Sequence, residues 1–416
     1  MLRASGASQG GRRMTTENST VLGIGIIGLG GAAVAMVPRM AFNPRFKIIA
    51  AADLDTEILG RFAQDFPDAA THTSAEEMCK DPRIDLVYIA TPTILHSQHC
   101  ELAMSYGKNV LIEKPMTINV EEGTALAESA ERQGVLLGVN VKHSFEPRVL
   151  RIREMVRTGE FGELRMMHHW RYQDWLYRPR SHEELTPGPG GGILWRQGPH
   201  QFDIIRTIGG GMVRSVRGTS AAWDPARRVP GAHAAYLEFE NGVFCTAVYS
   251  GYDHWDSREF MHGVGRDGIF PDPEKHAAAR REQAEATDPD WEDAAARAER
   301  YGLGRSDPME PPTGPSSAGW LLGGPLMVSF DDADVRLSPG GLTVYGNEER
   351  SEIPLVTVED GRDGRLNTFY DAITTGRPLP ANARWGNATI ELLLAIEQSG
   401  EQRKEMFLQH QTPTVD

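Results

Sequence analysis

The sequence predicts an α/β protein with two domains, in which a doubly wound parallel sheet is followed by a domain with an open antiparallel sheet. The chain has 416 residues, and single hydrophobic cores stop growing at about 250–300 residues, so more than one domain is expected. Before about Val141, short apolar runs alternate with segments of helical length, as in parallel sheets covered on both faces. Beyond it, apolar and polar side chains alternate, for example from Val243 to Tyr249, as in half-buried antiparallel strands.

The first domain is predicted to span residues 21–141, after a disordered leader of residues 1–20 in which Met14 is an alternative start. The run from Val21 to Val37 is apolar throughout, like a signal peptide or short membrane span. It is rich in glycine, however, and shorter than the ~20 residues that a bilayer requires. We therefore interpret it as a strand, a Gly-rich turn and the start of a helix. Later strands are predicted at Lys47–Ala52, Leu86–Ala90, Asn109–Ile112 and Val135–Val139, and helices at Thr56–Phe66, Thr93–Tyr106 and Val120–Gln133.

The second domain is predicted to span residues 142–384, followed by a C-terminal helix and tail at 385–416. Within it, the segment at about 257–315 is predicted to be a helical insertion whose function the sequence does not reveal. Asp288 before Pro289 is expected to cap the second helix of this insertion, and the Pro-rich run Asp307–Pro315 is expected to be an extended linker. Strands are predicted at Thr219–Phe239, Val243–Tyr249, Pro325–Phe330, Asp334–Leu337 and Leu342–Tyr345, and helices at Pro273–Ala286, Pro289–Tyr301 and Trp385–Ser399.

Composition excludes several function classes. The net charge is −14, from 43 Lys and Arg against 57 Asp and Glu, which argues against nucleic acid and anionic membranes as partners. The three cysteines, Cys79, Cys100 and Cys245, are too sparse for a disulfide framework or a zinc site, so we expect no metal and a cytoplasmic location. The same negative charge would repel an acidic substrate unless basic residues gather locally.

A Gly-rich turn and a later carboxylate together predict a dinucleotide site. The sequence from Gly28 to Ala33 has the form G-x-G-x-x-A, between an apolar strand and a helix, where backbone amides and the helix dipole bind a pyrophosphate. Asp53 follows the second strand, where a carboxylate accepts a hydrogen bond from the ribose 2′-hydroxyl and repels a 2′-phosphate. NAD is therefore expected rather than NADP. The cofactor-binding candidates are Gly28, Leu29, Gly30, Gly31, Ala32, Ala33, Asp53, Thr91, Pro92, His96, Glu113 and Lys114.

The run Glu113-Lys114-Pro115 follows a predicted strand, so Lys114 is expected at the crevice where parallel sheets bind ligands. Together with the upstream A-T-P-T-x-x-H pattern, this run resembles the motifs of the glucose–fructose oxidoreductase/inositol dehydrogenase/rhizopine-catabolism (Gfo/Idh/MocA) family. That resemblance implies a Rossmann domain, a second domain with a large, mostly antiparallel open sheet, and a nicotinamide between them. It also implies a Lys–Asp–His catalytic constellation, in which Lys114 and His200 fall on the family's lysine and histidine.

Arg196 occupies the position at which the family usually has Asp. An Arg cannot accept a proton, but its planar fork of donors matches a carboxylate. The stretch from Lys142 to Arg180 has nine Lys or Arg against five acids, interleaved with aromatic residues. We therefore expect an anionic substrate, although structural pairing within the domain is the alternative for each single Arg besides Arg196. The substrate-binding candidates are Arg196, Lys142, His143, Arg148, Arg171, Arg178, Arg180 and Trp195.

Within the family, the chain is most similar to the branch of phthalate cis-dihydrodiol dehydrogenases. That similarity implies oxidation of a dicarboxylated cis-dihydrodiol to 4,5-dihydroxyphthalate with NAD, and a homo-oligomer formed through the C-terminal sheet. Without the family Asp, another group must orient His200, and Asp203 is a candidate. The alternatives are a sugar, sugar-acid or inositol dehydrogenase, a glycosidase that regenerates its NAD, and a non-catalytic nucleotide sensor, although Lys114 and His200 argue against the last.

Overall fold

A parallel sheet forms the core of the first domain in the computed structural model, which describes residues 20–261, 263, 272–288, 290–304, 309, 324–355 and 364–416. Within those residues six strands pair in the order β3-β2-β1-β4-β5-β6. All neighbouring strands are parallel, which confirms the predicted sheet. The strands are β1 Leu22–Ile27, β2 Phe46–Ala52, β3 Ala70–His72, β4 Leu86–Ile89, β5 Asn109–Ile112 and β6 Leu137–Val139.

Helices cover both faces of this sheet, so strands such as β1 are buried along their whole length. The helices are α1 Gly31–Ala41, α2 Thr56–Asp65, α3 Ala75–Cys79, α4 His96–Ser105 and α5 Val120–Gln133. The apolar run from Val21 to Val37 thus divides between β1 and α1, as predicted. In the described part of the chain, no helix combines the length and the apolar character that crossing a membrane requires.

The second sheet has nine described strands in the order β14-β13-β12-β11-β7-β10-β9-β8-β15. Only the β7–β10 pair is parallel among them, so the sheet is mostly antiparallel, as the family resemblance implied. The strands are β7 Leu164–Tyr172, β8 Val213–Ala221, β9 Ala232–Phe239, β10 Phe244–Ser250, β11 Leu326–Phe330, β12 Ala333–Ser338, β13 Gly341–Gly346, β14 Arg350–Pro354 and β15 Met406–Phe407. The helices are α6 Pro147–Thr158, α7 Gly192–Gly209, α8 Ala278–Glu285, α9 Trp291–Ala298, α10 Gly364–Thr375 and α11 Ala383–Gln402.

Several predicted elements differ from the structure. The strand expected over Thr219–Phe239 is broken between β8 and β9, because residues 222–231 contain Pro225 and Pro230, which cannot donate to a strand ladder. The second insertion helix spans Trp291–Ala298, so it ends before the predicted Tyr301, and its predicted first residue, Pro289, lies outside the described residues. The Asp288 carboxylate accepts a bond from the backbone of Asp290, in the turn that precedes the helix.

The first insertion helix is also shorter than predicted, because residues 273–275 form a separate 3₁₀ turn before α8. The predicted leader at 1–19 and most of the predicted linker at Asp307–Pro315 lie outside the described residues.

Helix α7 positions the site because it belongs to the core of the second domain while its N-terminal half faces the first. Its apolar residues, including Phe202 and Ile205, are buried against the sheet. Helix α11 packs against β8, α7 and α5, and so connects the second sheet to the first domain. The carboxyl ends of β1, β2, β4 and β5 therefore meet the exposed face of α7 in one crevice.

Candidate active site

The glycine-rich turn after β1 forms one wall of this crevice. Gly28 has φ +89°, and a Cβ there would lie 2.9 Å from the carbonyl of Ala90, so only glycine fits. Gly30 precedes α1 in extended conformation, with no side chain capping the helix. The first turn of α1 thus presents backbone amides that no capping side chain occupies, which is the arrangement that binds a pyrophosphate.

The crevice is a cleft of about 870 Å³, large enough for a dinucleotide fragment. Leu29 and Ala33, by contrast, are buried in the core and support the turn from behind. Ten of the predicted cofactor residues line the cleft: Gly28, Gly30, Gly31, Ala32, Asp53, Thr91, Pro92, His96, Glu113 and Lys114.

Asp53 is held in a fixed orientation at the end of β2. One carboxylate oxygen accepts a 2.7 Å hydrogen bond from the amide of Leu29, and the other accepts a 2.9 Å bond from the amide of Asp55. These bonds join the carboxylate to the glycine-rich turn. Carboxylate, amides and cleft together fit a nicotinamide dinucleotide.

Lys114 is held by a buried polar scaffold at the end of β5. Glu113 accepts a 2.7 Å hydrogen bond from the hydroxyl of Tyr88 and a further bond from Asn140. The ring of His96 is buried, with Nε2 2.9 Å from the carbonyl of Thr91 and Nδ1 3.0 Å from that of Pro115. His96 therefore fixes the loops on both sides of Lys114 instead of acting in the chemistry.

Lys114 reaches across to α7, where its ammonium donates a 3.1 Å hydrogen bond to the carbonyl oxygen of Arg196. His200 lies one helical turn beyond Arg196, on the same face. Burial lowers the pKa of Lys114, while the neighbouring Glu113 carboxylate acts in the opposite direction. The structure thus brings together the predicted catalytic pair, because the positive charge of Lys114 also acts on the pKa of His200.

His200 is a neutral imidazole at physiological pH. Burial lowers its pKa well below the usual value, and the charges of Lys114, Lys142 and Arg365 lower it further. The ring of His143 packs edge-on with centroids 5.2 Å apart. Among the described residues, Nδ1 of neither histidine has a hydrogen-bond partner. A neutral imidazole with a free ring nitrogen can accept a proton from a hydroxyl group.

Asp203 is not the group that orients His200. Its side chain is buried and accepts a 2.7 Å hydrogen bond from Nε1 of Trp385, with Arg206 nearby. Burial raises its pKa. Positions 200 and 203 lie on one face of α7, but the Asp203 carboxylate is engaged by Trp385 of α11.

Positive charge is buried near His143. Arg171, on β7, is 6% exposed, and its Nε and Nη1 atoms have no hydrogen-bond partner among the described residues. Its remaining nitrogen donates only a 3.4 Å bond to Gln173. Arg171 also contributes, with Lys142 and Arg365, to lowering the pKa of His143 to about 3, although burial is the largest cause. A buried guanidinium without a partner needs an anion to compensate its desolvation.

Polar side chains that the sequence did not single out connect the end of β7 to α7. Tyr249 on β10 accepts a 2.9 Å hydrogen bond from the amide of Gln173 and donates a 3.3 Å bond to Gln197. Burial raises the pKa of Tyr249, so its hydroxyl remains protonated. The alternation of β10 placed Tyr249 on the buried face, which was the available signal, but its partners come from distant parts of the chain.

Arg196 has a carboxylate partner, whereas Arg171 has none among the described residues. Its guanidinium lies 3.1 Å from the carboxylate of Glu183, and it lines the dinucleotide cleft. Arg180 also lines the cleft and pairs with Glu184 at 3.3 Å. Both arginines therefore border the nicotinamide end of the cleft from loops and helix of the second domain.

Other predicted substrate residues have structural partners. Arg148 donates to the backbone carbonyls of Ser338, Pro339 and Gly341, which ties α6 to a turn of the second sheet. Arg148 is therefore a structural arginine, the alternative that the sequence left open.

The indole of Trp195 is buried and donates a 2.9 Å bond to Glu397. Arg178 pairs with Asp174 at 3.0 Å, while Lys142 is exposed beside His143.

Comparison with known proteins agrees with this geometry. The profile of the Gfo/Idh/MocA oxidoreductase family, NAD-binding Rossmann fold, matches residues 22–141, and that of the Gfo/Idh/MocA C-terminal domain matches residues 149–270. The chain is 35% identical to a 1-carboxy-3-chloro-3,4-dihydroxycyclohexa-1,5-diene dehydrogenase from Comamonas testosteroni, over 91% of this chain and 94% of that protein.

A scyllo-inositol 2-dehydrogenase (NADP(+)) from Bacillus subtilis is 26% identical over 97% of this chain and 99% of its own length. Among solved structures, a provisionally assigned dehydrogenase from Bordetella bronchiseptica RB50 superimposes with a TM-score of 0.84 at 34% identity, covering 94% of this chain and 100% of that chain.

Proposed function

The chain belongs to the Gfo/Idh/MocA family of NAD(P)-dependent oxidoreductases, and on that premise we propose that it oxidises a carboxylated cis-dihydrodiol with NAD. The specific reaction proposed is that of cis-4,5-dihydroxycyclohexadiene-1,2-dicarboxylate, which yields 4,5-dihydroxyphthalate. The observation that carries the proposal is the buried guanidinium of Arg171, which lowers the pKa of His143 and has two nitrogens without a hydrogen-bond partner among the described residues.

The charge of the pocket supports an anionic substrate. Lys114, Lys142 and Arg365 all lower the pKa of His200, so the environment of the imidazole is electropositive even though the whole chain is acidic. A substrate carboxylate would compensate these charges and accept hydrogen bonds from Arg171. A neutral polyol would leave the buried guanidinium uncompensated.

The similarity to the Comamonas protein supports the diol part of the proposal. That protein's name describes a cyclohexadiene that carries one carboxyl group and two hydroxyl groups on its ring. The substrate proposed here differs by a second carboxylate and by the absence of chlorine. Arg196 and Arg180, at the edge of the same region, are available to a second carboxylate if their acidic partners Glu183 and Glu184 are displaced.

The proposed mechanism assigns one task to each residue. His200, neutral at pH 7, accepts the proton of one ring hydroxyl as hydride leaves the same carbon. When bound, NAD supplies the acceptor for that hydride. The ammonium of Lys114 stabilises the developing negative charge on the oxygen. The resulting ketone then loses a ring proton and enolises to the aromatic catechol, which makes the oxidation favourable.

The cofactor proposed is NAD and not NADP. Asp53 projects into the cleft from the end of β2, and its two oxygens are oriented by the amides of Leu29 and Asp55. A carboxylate at this place accepts a hydrogen bond from a hydroxyl of the adenosine ribose and repels a 2′-phosphate. The relatives include NADP-dependent enzymes, so this preference rests on Asp53.

The proposal is tested by following NADH absorbance after purified protein and NAD are mixed with phthalate cis-dihydrodiol. The matched control is the cis-dihydrodiol of benzene, which has the same diol and no carboxylate. Robust turnover of the first and weak turnover of the second are expected. Equal turnover of the two, or no turnover of the carboxylated diol, would contradict the proposal.

A second candidate function is a dehydrogenase of inositols or sugar acids, which the full-length similarity to a scyllo-inositol dehydrogenase favours. A sugar acid would also engage Arg171, whereas a neutral inositol would not. A panel of neutral inositols, neutral hexoses and aldonic acids, tested in the same assay, separates these cases. Faster turnover of a panel member than of the carboxylated diol would select this candidate.

A further inference from the structure

The helical insertion spans the dinucleotide cleft, from the second domain to the first. At the start of α9, the carboxylate of Glu292 accepts hydrogen bonds of 2.8 and 2.9 Å from Arg227 and a 3.0 Å bond from the backbone of Arg180. Just after α9, Tyr301 is 2% exposed, and its amide donates a 3.0 Å bond to the carbonyl of Leu29 in the glycine-rich turn. The insertion is thus attached on both sides of the cleft.

Two arginines of the insertion lie at the adenosine end of the cleft. The guanidinium of Arg300 lies 3.1 and 3.3 Å from the two carboxylate oxygens of Asp53, and 3.3 Å from Asp55. Arg297, one turn earlier, pairs instead with Asp55 at 3.0 Å and with Glu57 at 2.9 Å. The Asp53 side chain is 9% exposed, so its pair with Arg300 is better shielded from solvent than that of Arg297.

This arrangement combines two signals that oppose each other. A carboxylate at the end of β2 selects the free ribose hydroxyls of NAD, while an arginine nearby accommodates the 2′-phosphate of NADP. The Rossmann domain supplies Asp53, and the insertion supplies Arg300 to the same position. The carbonyl of Glu299 also lies 3.8 Å from where a Cβ of Gly31 would stand, so the insertion follows the glycine-rich turn closely.

We propose that Arg300 is a cofactor-discriminating residue, and that the insertion completes the adenosine end of the dinucleotide site. Arg300 shares the Asp53 carboxylate with the ribose hydroxyls of NAD. It also offsets the repulsion between Asp53 and a 2′-phosphate, so NADP binds more weakly than NAD but is not excluded. The proposal extends the proposed use of NAD and does not depend on the identity of the substrate.

The test measures dissociation constants of NAD and NADP by titration calorimetry on the full-length protein, without substrate. Arg300→Ala is expected to weaken the binding of NADP about tenfold more than the binding of NAD, because the uncompensated charge of Asp53 then faces the phosphate. Asp53→Ala is expected to reverse the preference toward NADP. The double variant Asp53→Ala/Arg300→Ala is expected to lose that gain, because Arg300 is its source.

Arg300→Lys keeps the charge and is expected to restore most of the NADP affinity. Arg281→Ala, on the exposed α8, is the control and should leave both constants unchanged. Melting temperatures identify variants that do not fold. Equal effects of Arg300→Ala on the two nucleotides, or full NADP affinity in the double variant, would overturn the proposal. A wild-type protein that prefers NADP would contradict the proposed use of NAD, while the Arg300 variants would still test this inference.

Discussion

The two ends of the cleft contain positive charges in opposite situations. At the adenosine end, Arg297 and Arg300 are each paired with carboxylates of the first domain. At the substrate end, the guanidinium of Arg171 has two nitrogens without a partner among the described residues, and His143 and His200 are neutral.

The difference distinguishes charges that stabilise the fold from charges that are available to bind a ligand. A cation that is paired at a partly exposed site contributes little to the free energy of unfolding and acts mainly on the charges next to it. A buried cation without a partner is costly, and a protein that retains it has a use for it. The charges at the substrate end are therefore the better indicators of what this protein binds.

The largest expected effect comes from removing the proton acceptor at the substrate end. His200→Asn should lower kcat by about 10²–10⁴-fold, the contribution usual for a positioned general base. The dissociation constant of NAD should not change, because His200 does not line the cleft described above. Steady-state kinetics with the carboxylated diol, together with calorimetry, provide the check. A loss of less than about tenfold would remove His200 from the mechanism.

Removing the unpaired guanidinium should separate carboxylated from neutral substrates. Arg171→Gln is expected to lower kcat/KM for the carboxylated diol by about 10–100-fold, the value of one charged hydrogen bond. Turnover of the uncarboxylated diol should change much less. Arg178→Gln is the matched control, since Arg178 is already paired with Asp174. An equal loss on both substrates would show that Arg171 supports the fold instead of the substrate.

Anion binding at the substrate end should depend on pH. The pKa of free His143 is lowered to about 3, and a bound dicarboxylate should raise it toward its usual value near ~6.5. The complex then binds more protons than the free protein between those values, so affinity should rise as pH falls. We expect phthalate, which remains mainly a dianion in this range, to bind about threefold more tightly at pH 6 than at pH 7. Calorimetric affinities that do not vary over this interval would contradict the expectation.

The smallest effect is expected at the adenosine end, from Arg297→Ala. Arg297 is half-exposed and pairs with Asp55 and the exposed Glu57, so salt and water screen the interaction. The melting temperature should fall by less than about 2 °C, and less still at high salt. A larger, salt-independent decrease would mean that the ion pairs of Arg297 fix the insertion to the first domain. The positive charges at the two ends of the cleft would then differ less than proposed.

Local patterns were sufficient to predict the first domain. Three signals depend only on residues close together in the chain. They are the strand and helix periods before Val141, the G-x-G-x-x-A turn and the position of Asp53 after β2. The cleft contains ten of the predicted cofactor residues for that reason. The predicted strand at Thr219–Phe239 was wrong because two prolines interrupted an otherwise continuous pattern.

The roles of the arginines could not be predicted in this way. The local sequence does not distinguish Arg148, Arg171 and Arg196 from one another, and all three were candidates for binding the substrate. Arg148 donates to three backbone carbonyls. Arg196 has a carboxylate, Glu183, at 3.1 Å, although its Nε and Nη2 form no hydrogen bond among the described residues. Arg171 is buried with no such carboxylate among the described residues. Which arginine is paired depends on residues up to about 190 positions away, and no local pattern contains that information.

The sequence by itself determined the family, the two-sheet architecture and the positions of Lys114 and His200, because strand periodicity and short motifs express local backbone requirements. Tertiary structure alone decided which of the described arginines lie beside a carboxylate, how His143 packs against His200, and that the insertion brings Arg300 to Asp53. These outcomes depend on burial and on partners from distant segments. Desolvation and pairing set the energy of a charge, and both arise only when the chain has folded.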